Sequence, residues 1–426
     1  MKERIAIVAG VRTPFCKANG VMRDMDADDL GAFIVAELLA RTGIQGSQID
    51  ELIFGNVLQP VQSLNIARII AVKAGLPFSV PALTVNRNCA SGLEAIAMGA
   101  DKIELGHDQI VIAGGTESMS NYPMMIRKRF KDFLTALNKT RGWKQRLQVL
   151  MTFRLNFLIP EIPQIADPLC GLNMGQTAEV LAREFRISRK EQDQFSLISQ
   201  QRAVEAINEG YLTDEIAPIP LPPKYNVVQV VDDGPRDNQT LDALARLKTS
   251  FDPEMGTVTA GNASQITDGA AAVLLMKESK AKELGLVPLG YIRDYATAGV
   301  QPSRMGLGPA FAISKLLKRT GLQLKDFDLI EINEAFAAQV LAVVKACASD
   351  TFAKNELGIE RALGEIDMQK LNVNGGAVAI GHPLGASGTR LVLTLLRTLK
   401  GRNKNLGLAS LCVGGGQGQA IAVEVK

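Results

Sequence analysis

The sequence predicts an α/β protein with two similar halves. Short apolar runs alternate with longer helical segments early in the chain, and the same rhythm returns after about residue 250, which is the pattern of α/β proteins. A faint repeat supports two halves, because residues 89–92 and 385–388 each open a helix rich in small residues. With 426 residues, 46% apolar and 21% charged, the chain is globular in composition and too long for one small core.

The first predicted elements occupy residues 5–113. They are the strand Ile5–Ala9, the helix Asp28–Thr42 ending near Gly43, the strand Ile53–Val57, the helix Ser91–Leu105 stopped by Gly106, and the buried strand Ile110–Ala113.

The later predicted elements follow residue 250. They are the strands Ala270–Met276 and Leu329–Ile332, the helix Glu334–Ala348, and a closing hairpin of Gly407–Val413 and Gln419–Val425 around Gly414–Gly416.

Composition excludes several classes of protein. A net charge of only +3 argues against a dedicated nucleic-acid binder, and no run of about 18 apolar residues predicts a spanning helix. The five cysteines are scattered, which disfavours a disulfide framework, a zinc finger or another metal site. The chain opens on an apolar run without the features of a signal peptide, so a cytoplasmic location is expected.

One segment carries the positive charge. Nine of ten charged residues between Arg127 and Arg154 are basic, and the rest of the chain has 38 basic and 43 acidic residues, a net charge of −5. Aromatic and aliphatic residues are interleaved at spacings that suit basic amphipathic helices, which bind anionic membranes or partner surfaces. The segment is equally well explained as an insertion over the active site, with its charges in solvent or facing ligand phosphates.

Cys89 is the first candidate for chemistry. It lies where a strand passes into a helix, in Asn88-Cys89-Ala90-Ser91-Gly92. Free N–H groups and the helix dipole favour an anion there, so the thiol pKa is expected to be lowered. A buried structural cysteine is the alternative, since free cysteines usually lie in the core.

His382 is the candidate base, because the chain has only two histidines. It stands between Gly381 and Pro383, on a shaped loop before a helix, which suits a base held close to a ligand. A capped loop histidine is the alternative. His107 reads as an exposed turn residue between a helix and a strand.

Two further motifs lie at the ends of strands. Cys412 ends a buried strand before Gly414-Gly415-Gly416, whose uncovered N–H groups can serve as oxyanion donors. The glycine run does not fit a phosphate-binding loop, which needs a lysine and a following helix. Asn333, in Ile332-Asn333-Glu334-Ala335-Phe336, can orient a water or carbonyl oxygen, or cap a helix.

Together and in this order, these motifs resemble the thiolase family. The resemblance spans Val11 to the final hairpin and rests on four blocks, namely 88–92, 333–336, 381–383 and 412–416. Residues 127–163 further resemble the thiolase (β) subunit of the fatty-acid oxidation trifunctional complex.

The resemblance implies a fold of two βαβαβαββ halves in five αβαβα layers with an inserted loop domain. On this reading the N-terminal half comprises residues 1–119 and 251–285. The loop domain is 120–250, including the basic amphipathic segment 127–163, and the C-terminal half is 286–426.

The resemblance also implies a 3-ketoacyl-CoA thiolase reaction, reversible and serving fatty-acid β-oxidation. Cys89 would be the nucleophile and His382 would take its proton. Cys412 would be the second acid/base and Asn333 would hold a water at the enolate. The N–H groups of Cys89 and Gly414 would form the oxyanion hole.

Coenzyme A is implied as co-substrate, with no permanently bound cofactor. Ser264 matches the family's segment beside the pantetheine, and Arg236 falls near the family's adenine site across a one-residue insertion. Short-chain members often have His-Met-Gly where this chain has Asn173-Met174-Gly175, which disfavours a purely acetoacetyl-CoA enzyme. Because the family forms dimers and tetramers, a second copy is an implied partner. The basic amphipathic segment 127–163 is expected to contact either a hydratase/dehydrogenase subunit or, peripherally, a membrane.

Four alternatives compete with this reading. A short-chain acetyl-CoA acetyltransferase would work in the condensing direction. A decarboxylating ketoacyl synthase would not need Cys412, and a silent membrane-docking scaffold would need none of the catalytic set. A dinucleotide-binding dehydrogenase needs a G-x-G-x-x-G turn, which residues 9–20 lack. Acyl chain length, direction and subunit number stay open.

Overall fold

Strands form the centre of the molecule. The computed structural model describes residues 3–160 and 166–426, so residues 161–163 of the basic segment lie outside the described residues. The strands are β1 (Ile5–Arg12), β2 (Cys16–Lys17), β3 (Glu51–Gly55), β4 (Ala82–Val85), β5 (Ile110–Glu117), β6 (Ile219–Leu221), β7 (Val227–Gln229), β8 (Thr267–Lys277), β9 (Gly290–Gly299), β10 (Leu329–Ile332), β11 (Leu406–Val413) and β12 (Gln417–Glu424).

Helices cover the strands on both faces. They are α1 (Ala27–Thr42), α2 (Ile66–Lys73), α3 (Ser91–Glu104), α4 (Lys128–Lys139), α5 (Trp143–Met151), α6 (Met174–Glu184), α7 (Arg189–Asn208), α8 (Leu241–Ala245), α9 (Glu278–Glu283), α10 (Gly308–Thr320), α11 (Ala337–Cys347), α12 (Asp350–Phe352), α13 (Ala377–Ile380) and α14 (Leu384–Gly401).

The main sheet repeats one strand order in its two halves. The order is β10-β11-β12-β9-β1-β8-β5-β3-β4, and β1 meets β9 through three antiparallel pairs around Ile5 and Ile292. The first half is thus β4-β3-β5-β8-β1 and the second β10-β11-β12-β9. The counterpart of β4 in the second half is reduced to a single bridge between Leu371 and Ile330. The implied pair of βαβαβαββ halves is confirmed.

Three hydrophobic cores separate the layers. In the first half, Leu52 and Phe54 of β3 face α1 and α2, while Ile53 between them faces the centre of the molecule, because strand side chains alternate between faces. The central core packs α3 and α14 between the two halves. The third core packs α10 and α11 on the outer face of the second half. These layers confirm the five-layer αβαβα arrangement.

The small-residue helices of the repeat touch each other. A Cβ on Gly92 of α3 would lie 2.6 Å from the carbonyl oxygen of Gly385, and one on Gly388 of α14 would lie 2.4 Å from the nitrogen of Leu93. Glycine is therefore required for α3 and α14 to approach this closely. Because both helices begin in this contact, the loops before them, which carry Cys89 and His382, meet at one place.

Most predicted elements are found, with shifts at their ends. The helix predicted at Glu334–Ala348 is the main difference, since α11 begins only at Ala337. Phe336 is extended and bridges Ala263, while the Glu334 carboxylate accepts hydrogen bonds from Ser199, Asn372 and Val378. Tertiary hydrogen bonds therefore hold residues 334–336 out of the helix.

The segment between β5 and α6 forms a helical pair. α4 packs on α5 and the turn Leu155–Leu158 through a cluster of rings centred on Phe133, with Phe153 and Phe157 at 5.4 and 6.3 Å between centroids. Part of the apolar spacing in this segment is therefore explained by packing between α4, α5 and the turn that follows them. Among the described residues no helix combines the length and apolarity that crossing a bilayer requires.

Candidate active site

Three loops at the ends of strands and one loop between two helices carry predicted catalytic residues. They follow β4 (Cys89), β10 (Asn333) and β11 (Gly414), or link α13 to α14 (His382). The Gly414 N–H donates to the Cys89 sulfur, the Asn333 Nδ2 lies 3.3 Å from the His382 Nε2, and Cys412 and Cys89 interact electrostatically. These contacts join Cys89, Cys412 and Gly414 in one group and Asn333 with His382 in another. The close approach of Gly92 to Gly385 brings the loops that carry Cys89 and His382 together.

Cys89 sits in a tight turn just before α3. Asn88 holds a left-handed φ of 45°, which asparagine tolerates better than most residues. Its carbonyl accepts from the Ser91 N–H at 3.0 Å and the Ser91 hydroxyl at 2.7 Å. The turn leaves Cys89 half-buried, so its sulfur faces the centre from a fixed backbone.

The Cys89 thiol is neutral in the unliganded site. Burial raises its pKa above the ordinary value, outweighing the N–H groups of Gly414 and of Cys89 itself, which lower it. The expectation of a lowered thiol pKa at the strand-to-helix junction is therefore wrong, because burial removes water from the thiolate and this effect is larger than that of the N–H donors.

His382 is buried, and its hydrogen bonds define which ring nitrogen is basic. Its Nδ1 lies 2.6 Å from the Ser387 Oγ, and that hydroxyl donates its one proton to the Pro383 carbonyl at 2.9 Å. The Ser387 oxygen must therefore accept from Nδ1–H, which leaves the lone pair on Nε2, facing Asn333.

The imidazole is held neutral. Burial first, and the positive charge of Arg390 second, lower the pKa of His382 to about 3. His382 and Cys89 are therefore both uncharged in the resting protein.

Cys412 is buried near the end of β11. Burial raises its thiol pKa, and the nearby Cys89 raises it further. The group is accordingly a proton donor in the resting site, rather than a second thiolate.

Asn333 does not cap α11, whose cap position is Phe336. Its N–H donates to the Ser410 carbonyl at 2.9 Å, and its buried Oδ1 has no hydrogen-bond partner among the residues that the structure describes. A buried unpaired oxygen beside Nε2 of His382 suits a bound water. The geometry therefore favours the water-orienting alternative over the capping one.

Left-handed backbone angles and hydrogen bonds to two side chains fix the conformation of the glycine run. Gly415 and Gly416 have φ of 89° and 80°, and a Cβ on Gly416 would lie 2.3 Å from the Val300 carbonyl oxygen. The Gly414 carbonyl accepts from Asn88 Nδ2 at 2.7 Å, and the Gly415 N–H donates to the Asp167 carboxylate at 3.0 Å.

The two residues predicted to contact coenzyme A are connected to the His382 loop through Gln265. Ser264 is half-buried and adjoins Gln265, whose carbonyl accepts from the His382 N–H at 3.1 Å. Gln265 also donates to the Gly234 carbonyl, two residues before the exposed Arg236. His107 is exposed, as expected for a turn residue.

Sequence reasoning missed three side chains around the site. Ser387 stands five residues after His382, and a serine in the first turn of the following helix was the available signal. Asp167 contacts Gly415 from 248 residues away in the chain, and no local pattern marks it.

Glu117, the third, is a buried carboxylate that joins the halves. It accepts from the Gly385 N–H and from the Val57 and Leu58 N–H groups at 2.9–3.1 Å. Burial raises the pKa of Glu117 to about 7, against the lowering effect of these N–H donors.

An α/β fold with a cysteine, a neutral histidine and backbone N–H donors at strand ends suits covalent acyl transfer through a thioester. The chain belongs to the thiolase family. Residues 5–279 match the family model described as "Thiolase, N-terminal domain", and residues 286–425 match "Thiolase, C-terminal domain".

Relatives with assigned names cover the chain from end to end. The chain is 44% identical over 425 residues to proteins named 3-ketoacyl-CoA thiolase from Yersinia pestis and Yersinia pseudotuberculosis, covering 100% of this chain and 97% of each relative.

Solved structures share the fold. The Bacillus anthracis acetyl-CoA acetyltransferase is 38% identical with a TM-score of 0.86, covering 100% of this chain and 99% of that one. Human mitochondrial 3-ketoacyl-CoA thiolase in complex with CoA is 37% identical with a TM-score of 0.84, covering 100% and 98%.

Proposed function

We propose that this chain is a 3-ketoacyl-CoA thiolase, an acyltransferase that cleaves 3-ketoacyl-CoA with CoA to acetyl-CoA and a shortened acyl-CoA. The observation that carries the proposal is the grouping of Cys89 and Cys412 with the Gly414 N–H donor, next to the loop in which His382 pairs with Asn333. The 44% identity to proteins named 3-ketoacyl-CoA thiolase supports it.

In the first half-reaction, the neutral Nε2 of His382 takes the Cys89 proton as the sulfur bonds to C3 of the substrate. The carbonyl oxygen becomes an oxyanion, which the N–H groups of Cys89 and Gly414 stabilise. The C2–C3 bond then breaks and its electron pair forms the enolate of acetyl-CoA, while the acyl group stays on Cys89. The Cys412 thiol gives its proton to C2.

In the second half-reaction, the Cys412 thiolate takes the proton of the CoA thiol. The CoA sulfur attacks the acyl carbonyl, the bond to Cys89 breaks, and the leaving sulfur recovers its proton from His382. Asn333, through a water on its free Oδ1, would hold the enolate oxygen beside Nε2. All groups return to their starting protonation states.

Coenzyme A would reach the centre along the two loops that hold Arg236, before α8, and Ser264, before β8. Ser264 lies one residue from Gln265, whose carbonyl fixes the His382 backbone, so a pantetheine arm beside it would point at the reacting atoms. Arg236 is exposed and free to meet the nucleotide end. The relative solved with CoA supports this ligand.

The deciding test is CoA-dependent cleavage of 3-ketoacyl-CoAs of several chain lengths by the wild-type protein and Cys89→Ser. We expect acetyl-CoA release by the wild type and a loss of at least about 1,000-fold in the variant, since the nucleophile is removed. Absence of cleavage at every length would refute the activity, and full activity of Cys89→Ser would refute the mechanism.

The condensing direction and the scaffold reading are less well supported. The similar fold of an acetyl-CoA acetyltransferase does not separate the two directions. Asn173 caps α6 through its Oδ1 on the Gln176 N–H at 2.9 Å, so it is committed to the helix rather than to a substrate thioester. The intact catalytic grouping disfavours a silent scaffold.

We further propose the domain division given by the resemblance, with a loop domain at 120–250 between the parts of the first half. The boundary between the two matched models, at 279–286, supports the limit at residue 285 between the N-terminal and the C-terminal halves. We also propose a homodimer or tetramer, supported by the exposed apolar Val61, Leu64 and Phe78 near β4, an edge strand of the sheet. A cytoplasmic location stays a proposal from the sequence.

For the basic segment we propose peripheral contact with an anionic membrane. Trp143, Leu147, Met151 and Leu155 are exposed by 51–79%, although Phe133 and its neighbours fill the inside of the helical pair. Eight of the nine basic residues between 127 and 154 are exposed. Exposed apolar residues among cations match the chemistry of an anionic lipid surface.

Vesicle co-sedimentation tests this contact. We expect salt-sensitive binding to vesicles containing phosphatidylserine, and its loss in Trp143→Ser/Leu147→Ser with thiolysis unchanged. The matched control is Val287→Ser, another exposed apolar residue, at 78% exposure. If the protein does not bind vesicles but co-purifies with a hydratase/dehydrogenase subunit through residues 127–160, the membrane proposal is wrong and the segment binds the protein partner instead.

A further inference from the structure

The oxyanion donor sits on a run of three glycines, which raises the question of what holds it still. Glycine has the largest conformational freedom of any residue, yet a donor that stabilises charge must be positioned in advance. Gly415 and Gly416 need their left-handed φ of 89° and 80°, so side chains cannot replace the glycines. Rigidity must come from neighbouring groups.

One peptide unit of the run is gripped at both polar atoms. The unit between Gly414 and Gly415 has its carbonyl oxygen held by Asn88 Nδ2 at 2.7 Å and its N–H held by Asp167 Oδ2 at 3.0 Å. Asn88 is the residue before the nucleophile, while Asp167 comes from the segment between α5 and α6. The two clamps therefore tie the donor to the nucleophile's turn and to that segment.

Asp167 is itself fixed. It is 4% exposed, its other oxygen accepts from the Leu169 N–H at 2.8 Å, and its own N–H donates to the Leu172 carbonyl at 2.8 Å. Met174, at the start of α6, also adjoins the run, since a Cβ on Gly414 would lie 3.3 Å from its sulfur. The turn that ends at α6 is thus a rigid support for the glycine run.

We propose that Asp167, with Asn88 opposite it, is a positioning residue that holds the Gly414 N–H on the Cys89 sulfur and on the developing oxyanion. The catalytic part of this inference rests on the proposed thiolase function. The part that concerns Cys89 does not, because the Gly414 N–H lowers the thiol pKa without substrate.

The test compares Asp167→Ala and Asn88→Gly with wild type. The glycine variant removes the side chain while allowing the left-handed φ of Asn88. The matched control is Asp328→Ala, which removes another aspartate that accepts two backbone N–H groups, from Asn405 and Leu406, before β11. Melting temperatures show whether each variant is folded.

We expect the pH midpoint of Cys89 alkylation by iodoacetamide to rise by about 0.5–1 unit in both clamp variants, because a donor to the thiolate is loosened. We also expect kcat to fall about 10-fold or more with KM changed less than about 3-fold, the pattern of an interaction made in the transition state. Asp328→Ala should match wild type in both measurements.

Unchanged alkylation midpoints and kcat within twofold of wild type in both clamp variants would overturn the proposal, as would equal losses in Asp328→Ala. If one clamp variant does not fold, the other decides. A wild-type protein without thiolysis, combined with shifted midpoints in the variants, would refute the proposed function and leave the positioning role standing.

Discussion

Replacing Ser387 by alanine should expose how His382 is prepared to act as a base. The Ser387 hydroxyl gives its only proton to Pro383 and accepts from Nδ1 of His382 at 2.6 Å. Without that oxygen the Nδ1–H loses its acceptor. The neutral ring can then move its proton to Nε2, the nitrogen that must be free to take the proton of Cys89.

The size of the effect follows from burial. Ser387 is 0% and His382 is 5% exposed, so water does not readily replace the lost oxygen. A buried donor left without an acceptor costs about 1–3 kcal/mol, which shifts the balance between the two tautomers by about 5- to 150-fold. We expect kcat to fall about 10- to 100-fold, with little change in KM because the substrate does not touch Ser387.

Two measurements check this prediction. Steady-state thiolysis gives kcat and KM, and ¹⁵N spectra of histidine-labelled protein report the tautomer directly. The chain has only His107 and His382, so the exposed His107→Gln variant leaves a single histidine signal. Ser196→Ala is the matched control, since that buried hydroxyl likewise donates to the carbonyl four residues back, at 2.8 Å, in α7.

Three outcomes would refute the reasoning. The first is a wild-type spectrum showing the proton on Nε2. The second is a Ser387→Ala enzyme with kcat within twofold of wild type and an unchanged tautomer. The third is an equal loss of kcat in Ser196→Ala, which would mean that helix packing, not the imidazole, was disturbed.

Three other predictions concern the same centre. Gly416→Ala should lower kcat far more than Gly414→Ala. A Cβ on Gly416 would meet a carbonyl oxygen at 2.3 Å from a left-handed backbone, whereas a Cβ on Gly414 would lie 3.3 Å from the Met174 sulfur and 3.9 Å from the Asn88 Nδ2, both at the ends of side chains. Equal kcat losses in the two variants would contradict this. The ¹⁵N titration of His382 should show no protonation between pH 8 and 5, because its pKa is about 3 and the neutral form persists above that value; a midpoint near 6.5 would exclude it. Burial raises the pKa of Glu117 from 4.5 to about 7. Its ionisation should therefore reduce the free energy of unfolding by about 3 kcal/mol as pH rises from 4.5 through 7. Denaturant titrations should show the difference in stability between wild type and Glu117→Gln shrinking across that window, and a constant difference would contradict the prediction.

Local patterns carried much of the prediction. Short continuous apolar runs located β1, β5, β8 and the closing hairpin to within a few residues, since strands that are buried on both faces are apolar along their whole length. The helix predicted at 334–348 begins too early. In the structure the carboxylate of Glu334 is instead held by Ser199 and Asn372, which come from distant parts of the chain. Contacts of that kind leave no trace in the local pattern.

For the candidate site, too, the sequence marked the residues, but the folded structure set some of their properties. Residue type and neighbours marked Cys89, His382 and Cys412, because few side chains can act as nucleophile or base and these stand beside glycines or a helix start. The direction of the Cys89 pKa shift was predicted wrongly, because a helix start is visible in the sequence while burial by other elements is not.

By itself, then, the sequence determined the α/β class, the two-half organisation and the residues able to do the chemistry, since these depend on residue type and short-range periodicity. Only the tertiary structure decided that His382 is neutral with its lone pair on Nε2, and that Asp167 reaches Gly415 across 248 residues. Desolvation and long-range hydrogen bonds depend on which surfaces the folded chain brings together, and that information is spread over the whole chain rather than written in any one segment.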